Sequence, residues 1–209
     1  MSAKFLMSQS NAPTASAFTD NRLIDAMIYH FSLQMAALFA GAILCLLGAF
    51  GFAMESSARD ILAAFPRSRG AGIVLLSIDL VWSFWLVSTM EMGEFSAFRR
   101  PFLIILPIGF FLTLRFVDEF LAVRALGILA LLMAEPLLDA AFFRYESSRL
   151  VLTVLAYLLV VLGLIWVMVP YKLRDQIGWF GKTTARWRGL HAFAFVYGAT
   201  LIALAFLSY

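Results

Sequence analysis

The sequence predicts an all-α integral membrane protein, a bundle of six transmembrane helices with short interfacial helices between them. Of the 209 residues, 63% are hydrophobic and only 14% are charged, and the mean hydropathy is +0.90. A soluble domain carries about a quarter of its residues as charged side chains. The charge deficit therefore places the chain in lipid, and it excludes a disordered protein or one that coats nucleic acid.

The membrane spans are predicted from runs of apolar residues. A helix needs about 20 such residues to cross a hydrocarbon core of about 30 Å, because its backbone groups must bond within the segment. The run 102–117 is shorter and is interrupted by Pro107 and Arg115, so it is either a sixth helix or a re-entrant hairpin beside five helices. The other five runs are 29–54, 71–92, 121–143, 150–170 and 190–207.

Basic residues choose between these two folds, since cytoplasmic loops of membrane proteins collect Lys and Arg. The segment after the first span has three arginines, and the segment before the last span has five basic residues. Both segments share a side only if an even number of spans separates them, so residues 102–117 must cross. Ten of the 16 Lys and Arg residues are then cytoplasmic. Both termini face outward, in what we expect to be a bacterial inner membrane.

The chain is expected to divide into a flexible polar tail, residues 1–23, and a single transmembrane helical domain, residues 24–209. Between Ser8 and Asn21 the tail is rich in Ser, Asn, Pro and Thr. Such a segment buries too little apolar area to offset the entropy of ordering it. The tail has no apolar stretch before Ile24, so we do not expect a cleavable secretory signal.

Two connectors are predicted to lie at the membrane surface. The stretch 57–70 has Ser57 as a helix cap, followed by Pro66 and Gly70 as helix breakers, which is typical of one short interfacial helix. The stretch 171–188 alternates aromatic rings with cations, which prefer the headgroup region and attract anionic lipid. We expect a lipid-surface anchor there, with a docking face for a partner as the alternative. The anchor residues are Lys172, Arg174, Trp179, Lys182, Arg186, Trp187 and Arg188.

Asp79 is the clearest charged residue inside a predicted span. It lies nine residues beyond Gly70, which is about 13 Å along a helix. Charges at such depth are costly and mark either function or internal pairing. A relay for protons or ions is the functional interpretation of Asp79, and a structural pair with an arginine or a hydroxyl is the interpretation we favour.

A second group of charges lies within the fourth span. Glu135 and Asp139 are four residues apart and lie on nearly the same helix face, and Pro136 between them permits a kink. Arg124 shares that face at a distance of about 16 Å from Glu135, so each needs a partner on another helix. This stripe is either a hydrophilic seam for transport or a seam buried against a neighbouring helix or subunit.

The turn between the third and fourth spans carries further charges, in the sequence from Arg115 to Arg124. Its simplest role is a turn at the membrane edge, where the acids stay in water. If the turn is recessed inside the protein, its arginines form a cavity for an anion. The complete candidate polar seam is Asp79, Arg115, Asp118, Glu119, Arg124, Glu135 and Asp139.

No metal site or cofactor is predicted, apart from bound lipid. The sequence has no Cys-x-x-Cys, Gly-x-Gly-x-x-Gly or His-Glu-x-x-His pattern. His30 begins the first span and His191 begins the last, so six spans place them at opposite membrane faces, which opposes a bis-histidine haem. His30 and His191 are the two weak candidates for metal ligands, and only a fold with five spans would bring them to one side of the membrane.

Small residues on the first and last spans predict a close helix–helix contact. The first span carries Ala37, Gly41 and Gly48, and the last carries Ala194 and Gly198. Small side chains at such spacing let helix backbones approach closely. We expect these stripes to join the two spans, or either stripe to meet a helix of another protein.

Short loops, helix faces of small residues and the lack of a nucleophile–base constellation favour an accessory or scaffold subunit of a larger membrane complex. The alternative is a small transporter or channel that uses intramembrane carboxylates and arginines. An intramembrane enzyme acting on lipid gains only from the basic segment beside His191 and is the least favoured class. The expected partners are membrane lipids, mainly anionic, and other membrane subunits, and no nucleic acid.

Overall fold

The structure, a computed structural model, describes residues 32–90, 93–117, 120–142 and 148–207. Within these ranges the chain forms α-helices and short 3₁₀ turns, without any β-strand. Six of the helices are long and apolar enough to cross a membrane, which confirms the predicted all-α bundle. The helices are α1 (Leu33–Ala53), α2 (Glu55–Ala64), α3 (Arg69–Thr89), α4 (Arg99–Phe116), α5 (Leu121–Ala141), α6 (Arg149–Met168), α7 (Tyr171–Gly181) and α8 (Thr184–Leu207).

The short apolar run 102–117 forms a continuous helix and not a re-entrant hairpin. Helix α4 continues through Pro107, and together with the end of the preceding 3₁₀ turn, Gly93–Phe98, it gives a membrane-length helix from Ser96 to Phe116. Pro107 lacks the N–H that would bond the carbonyl oxygen four residues earlier, yet the helix continues on both sides of it. The described residues thus contain six helices of membrane length, which is the even number that the basic residues predicted.

The two predicted interfacial connectors form short helices with shifted ends. Helix α2 begins at Glu55, and a 3₁₀ turn, Phe65–Arg67, follows it. Ser68, and not Ser57, acts as a cap, because its hydroxyl accepts a 3.2 Å hydrogen bond from the backbone N–H of Ala71 at the start of α3. The second connector forms α7 and also supplies the first turns of α8, which begins at Thr184, six residues before the predicted span.

Helix α5 lies at the centre of the bundle, in contact with α1, α3 and α6, while α8 packs along α1. The main core joins α1, α5, α6 and α8 through small and branched side chains such as Ala40, Ala140 and Leu201. A smaller core joins α3 to α5 around Leu76 and Ala125. Helix α4 packs chiefly against α3, and none of its residues is fully buried, although Phe110 and Leu114 pack against the edge of the smaller core.

Glycines make the close contacts between α1 and α8. A Cβ on Gly41 would lie 2.8 Å from the carbonyl oxygen of Gly198, and a Cβ on Gly48 would lie 2.8 Å from that of His191. The residue pairs run in opposite directions along the two helices, so α1 and α8 are antiparallel. Ala37 is fully buried and Ala194 is half-buried on the same helices.

A second glycine contact joins α5 to α6. A Cβ on Gly127 would lie 2.8 Å from the carbonyl oxygen of Gly163, and the converse distance is also 2.8 Å. Neither glycine is among the predicted packing residues. The predicted tail, residues 1–23, and the position of His30 lie outside the described residues.

Candidate functional site

Charged side chains from α2 and α8 meet at one end of the bundle, and we call Glu55, Arg59, Thr184, Trp187 and Arg188 the α2–α8 cluster. Glu55 accepts a 2.6 Å hydrogen bond from Nη2 of Arg59, one turn along α2. Its other carboxylate oxygen accepts hydrogen bonds from Nε and Nη2 of Arg188, both at 3.2 Å. One carboxylate therefore holds two guanidinium groups from two helices, as bidentate Arg–carboxylate geometry allows.

Arg59 links this ion pair to the start of α8. Its Nη2 donates to the hydroxyl of Thr184 at 3.5 Å, and its guanidinium carbon lies 5.3 Å from the ring centroid of Trp187. A cation over an indole face is attracted by the negative face of the ring. The segments that follow α1 and precede α8 thus lie together at the same end of the molecule.

Trp187 is the buried centre of the cluster, with 2% of its surface exposed. Its indole Nε1 donates a 2.9 Å hydrogen bond to the carbonyl oxygen of Gly51, at the end of α1. Nδ1 of His191 lies 2.9 Å from the carbonyl oxygen of Trp187, and because a carbonyl only accepts, Nδ1 is the donor. The sequence predicted Trp187 to be one of the surface anchors, but its ring is buried against the protein in the structure.

The other predicted anchor residues lie on the surface of α7 and the first turns of α8. The guanidinium carbon of Arg186 lies 4.3 Å from the ring centroid of Trp179, which is 49% exposed. Arg174 donates to its neighbour Asp175 at 3.1 Å. Lys172 and Lys182 are exposed as well. These positions have the mixture of rings and cations that suits a lipid–water boundary.

A cavity of about 450 Å³ opens between α2, α7 and the start of α8. Asp60 and Lys182 line it, and neither makes a hydrogen bond or ion pair with any residue that the structure describes. We call this cavity the interfacial pocket. Its lining residues are Arg59, Asp60, Ala63, Pro66, Arg174, Ile177, Gly178, Gly181, Lys182 and Trp187.

Asp79 lies far from this cluster in sequence, on the face of α3 that packs against α5. Only 3% of its surface is exposed, and Gly72 and Leu76 precede it on the same buried face. Both carboxylate oxygens are buried, and neither has a hydrogen-bond partner in the described parts of the chain. Such a carboxylate is costly in an apolar interface, so Asp79 is the strongest intramembrane candidate.

Glu135 and Asp139 line a different cavity, a crevice of about 420 Å³ that Val160 of α6 also lines. Both carboxylates are half-buried, on the face that the four-residue spacing predicted. Asp79 is not among the described residues that line this crevice. The three acids on membrane-length helices, Asp79, Glu135 and Asp139, are therefore divided between the interface of α3 with α5 and the crevice beside α6.

The remaining seam residues lie at or beyond the ends of α4 and α5. Arg115 is exposed in the last turn of α4, and Arg124 is half-buried in the first turn of α5, where its Nε is buried without a hydrogen-bond partner in the described residues. Asp118 and Glu119 fall outside the described residues. The described members of the predicted seam are thus distributed over the interface of α3 with α5, the crevice beside α6 and the ends of α4 and α5.

Among the described residues, no three His, Cys, Asp or Glu side chains come together in a way that would hold a metal ion. His191 packs its ring against Trp187, with 4.4 Å between the ring centroids. A Cβ on Gly51 would overlap that imidazole ring. The contacts of His191 are therefore those of a packing residue that also bonds its own helix.

Sequence reasoning missed several residues of the α2–α8 cluster and of the pocket. Glu55 and Arg59 form a pair four residues apart that was readable as a helix-stabilising ion pair. Gly51 extends the glycine stripe of Gly41 and Gly48 by one more turn. Asp60 gave no signal of its own, because its place in a pocket depends on where α7 lies.

No protein-family model, no curated protein and no solved structure matches this chain.

Proposed function

We propose that the protein is embedded in a membrane, crosses it six times, and serves as an accessory or scaffold subunit of a larger membrane complex. The observation that carries this proposal is the packing of α4. This helix is long and apolar enough to cross a membrane, yet none of its residues is buried and α3 is its main neighbour. Helices in lipid associate by close packing, so a span that packs chiefly on one described neighbour leaves much of its surface open to another helix.

An exposed apolar groove on α3 supports the same proposal. A groove of about 630 Å³ runs along it, and its lining is almost wholly apolar. Val81, near the middle of this groove, is 69% exposed. A transmembrane helix of another subunit would bury this face by close helix–helix packing of the kind that is seen between α1 and α8. The described residues that line the groove are Ser77, Ile78, Val81, Trp82 and Trp85.

We further propose that the end with the α2–α8 cluster faces the cytoplasm of a bacterial inner membrane. Ten of the 16 basic residues belong to this side in a six-span topology, and the positive-inside rule favours their retention in the cytoplasm. Ion pairs with Glu55 and Asp175 offset only part of this positive charge. Both termini then face the opposite side.

Photo-crosslinking in the native membrane tests the subunit proposal. A benzophenone amino acid is placed at Val81 in the groove and at Phe111 on α4, and separately at Val154 and Val161 as matched exposed controls on α6. We expect Val81 or Phe111 to give one discrete protein adduct that co-purifies in fixed stoichiometry, while the controls give lipid adducts. Lipid adducts at all four positions, together with a monomer in mild detergent, would contradict the proposal.

Transport of protons or ions is the second candidate, and the burial of Asp79 favours it. A carboxylate with both oxygens buried and without partners in the described residues is a group that a transported cation would neutralise. Asp79→Asn should then abolish proton or cation flux in vesicles, whereas Asp60→Asn, at an exposed position outside the spans, should not. Equal flux in wild type and Asp79→Asn, with both folded, removes this candidate.

A further inference from the structure

Charged side chains from two helices line the interfacial pocket. Arg59 and Asp60 belong to α2, while Arg174 and Lys182 come from α7 and the residue that follows it. Pro66 and Trp187, both buried, form its apolar base. Its volume of about 450 Å³ falls in the range of about 300–1,000 Å³ that is usual for small-molecule sites.

The ion pairs around the pocket leave a particular charge pattern. Arg59 is matched by Glu55 at 2.6 Å, and Arg174 is matched by Asp175 at 3.1 Å. Lys182 and Asp60 have no such match within the described residues. Among the described residues, the pocket therefore offers the unmatched ammonium of Lys182 together with the guanidinium of Arg174, and the unmatched carboxylate of Asp60 next to Arg59, which Glu55 already pairs.

We propose that the interfacial pocket binds a phosphoethanolamine group, with its phosphate at Arg174 and Lys182 and its ammonium at Asp60. Phosphate oxygens accept charge-assisted hydrogen bonds from guanidinium and ammonium donors. A primary ammonium supplies three N–H donors, which a carboxylate accepts. Phosphocholine carries a cation but has no N–H to donate to Asp60. Phosphoglycerol has hydroxyl donors but no cation to pair with Asp60, so neither headgroup matches this carboxylate as fully as an ammonium does.

The position of the pocket supports a lipid as the source of this group. It opens where α1 and α6 end and α8 begins, beside the exposed ring of Trp179, so in a membrane it lies at headgroup depth. This step rests on the proposed membrane placement. A soluble phosphoethanolamine ester carries the same chemistry, and the two sources are separated by experiment.

Native mass spectrometry of the full-length chain, purified and depleted of lipid, tests the proposal. Phosphatidylethanolamine, phosphatidylcholine and phosphatidylglycerol with identical acyl chains are offered in equal amounts. We expect the ethanolamine lipid to be retained about tenfold over the other two, which corresponds to about 1.4 kcal/mol. Asp60→Asn should remove the preference over phosphatidylcholine, and Lys182→Gln should weaken binding of all three lipids.

The matched control is Lys172→Gln, because Lys172 is exposed on α7 but does not line the pocket. Since Asp60 and Lys182 are exposed, their variants should fold, and circular dichroism checks this directly. Asp60→Glu keeps the charge and should keep the ethanolamine preference. If Lys172→Gln lowers retention as much as Lys182→Gln, the lipid is held by surface charge and the proposal is overturned.

Water-soluble phosphoethanolamine, added as a competitor, identifies the source. Displacement of the lipid by this compound supports the proposed pocket chemistry with a lipid as the ligand. Binding of the compound alone, with the same dependence on Asp60 and Lys182, supports the same chemistry with a soluble ligand. Equal retention of all three lipids and no binding of the soluble compound overturn the proposal. That failure leaves the crosslinks from Val81 unaffected, so it is distinct from a failure of the subunit proposal.

Discussion

The indole N–H of Trp187 and the carbonyl oxygen of Gly51 form a 2.9 Å hydrogen bond between the start of α8 and the end of α1. The imidazole of His191 fills the space that a Cβ on Gly51 would take. The last turn of α1 is therefore held against α8 by a hydrogen bond and by close packing. This contact brings Glu55, just beyond α1, within reach of Arg188.

Trp187→Phe should destabilise the protein, because the buried carbonyl oxygen of Gly51 loses its side-chain donor. The expected loss is about 1 kcal/mol in the free energy of unfolding, read as a lower thermal midpoint by circular dichroism in detergent. Trp179→Phe is the control, since that ring is 49% exposed. If both variants have the same thermal midpoint, the hydrogen bond to Gly51 is not a stabilising contact.

Gly198→Ala should destabilise the contact between α1 and α8. The new Cβ would lie 2.7 Å from the carbonyl oxygen of Gly41 and 2.8 Å from the backbone nitrogen of Cys45, so one helix backbone must move. Overpacking of this kind costs about 1–3 kcal/mol. Gly189→Ala on the same helix meets nothing within 4 Å and should be neutral or stabilising, because alanine favours the helix. Equal thermal midpoints for the two variants would refute the close approach.

The contact between Gly127 and Gly163 predicts coupled effects in a double-mutant cycle. A Cβ added at either glycine would lie 2.8 Å from the carbonyl oxygen of the other. The first alanine therefore already forces α5 and α6 apart. The second alanine should then cost less than it does alone, with a coupling of about 0.5–3 kcal/mol. Thermal unfolding of both single variants and the double variant measures this. Additive losses would mean that the two glycines do not meet.

Glu55→Gln should lower stability by removing the charge that holds Arg59 and Arg188. Because these groups are partly exposed, the loss should not exceed about 1 kcal/mol. Its salt dependence is the sharper measurement, since screening weakens exposed pairs. We expect the difference between wild type and Glu55→Gln to shrink at high salt. Asp175→Asn, which breaks a pair between adjacent exposed residues, should change the midpoint less, and the opposite order would contradict the importance of the α2–α8 cluster.

The sequence alone predicts the number of membrane-length helices, because hydropathy and the sides taken by basic residues are both readable in it. The length of the run 102–117 did not show whether it is a helix or a re-entrant hairpin. The requirement for an even number of spans predicted a helix, and the structure has a membrane-length helix there. Helix ends were less predictable. Hydropathy reports which residues suit lipid, whereas α8 begins six residues earlier, at Thr184, where cations continue the helix outside the apolar run.

The candidate site was predictable only in part. Periodicity puts Glu135 and Asp139 on one face of α5, but it does not say that the face lines a crevice beside Val160 of α6. The place of Asp79 between α3 and α5 depends on which helices are neighbours. Trp187 resembles a headgroup anchor by its neighbours in sequence, whereas its burial and its hydrogen bond to the carbonyl oxygen of Gly51 depend on how α8 packs against the end of α1.

Accessibility of single cysteines tests the six-span topology most directly. In a Cys45→Ala background, cysteines replace Ser57, Thr183 and Ser96, which are exposed and lie at or shortly beyond the ends of membrane-length helices. A membrane-impermeant maleimide is applied to right-side-out and inverted vesicles. The account predicts that positions 57 and 183 are labelled from one side and position 96 from the other. Labelling of positions 57 and 183 from opposite sides would contradict it.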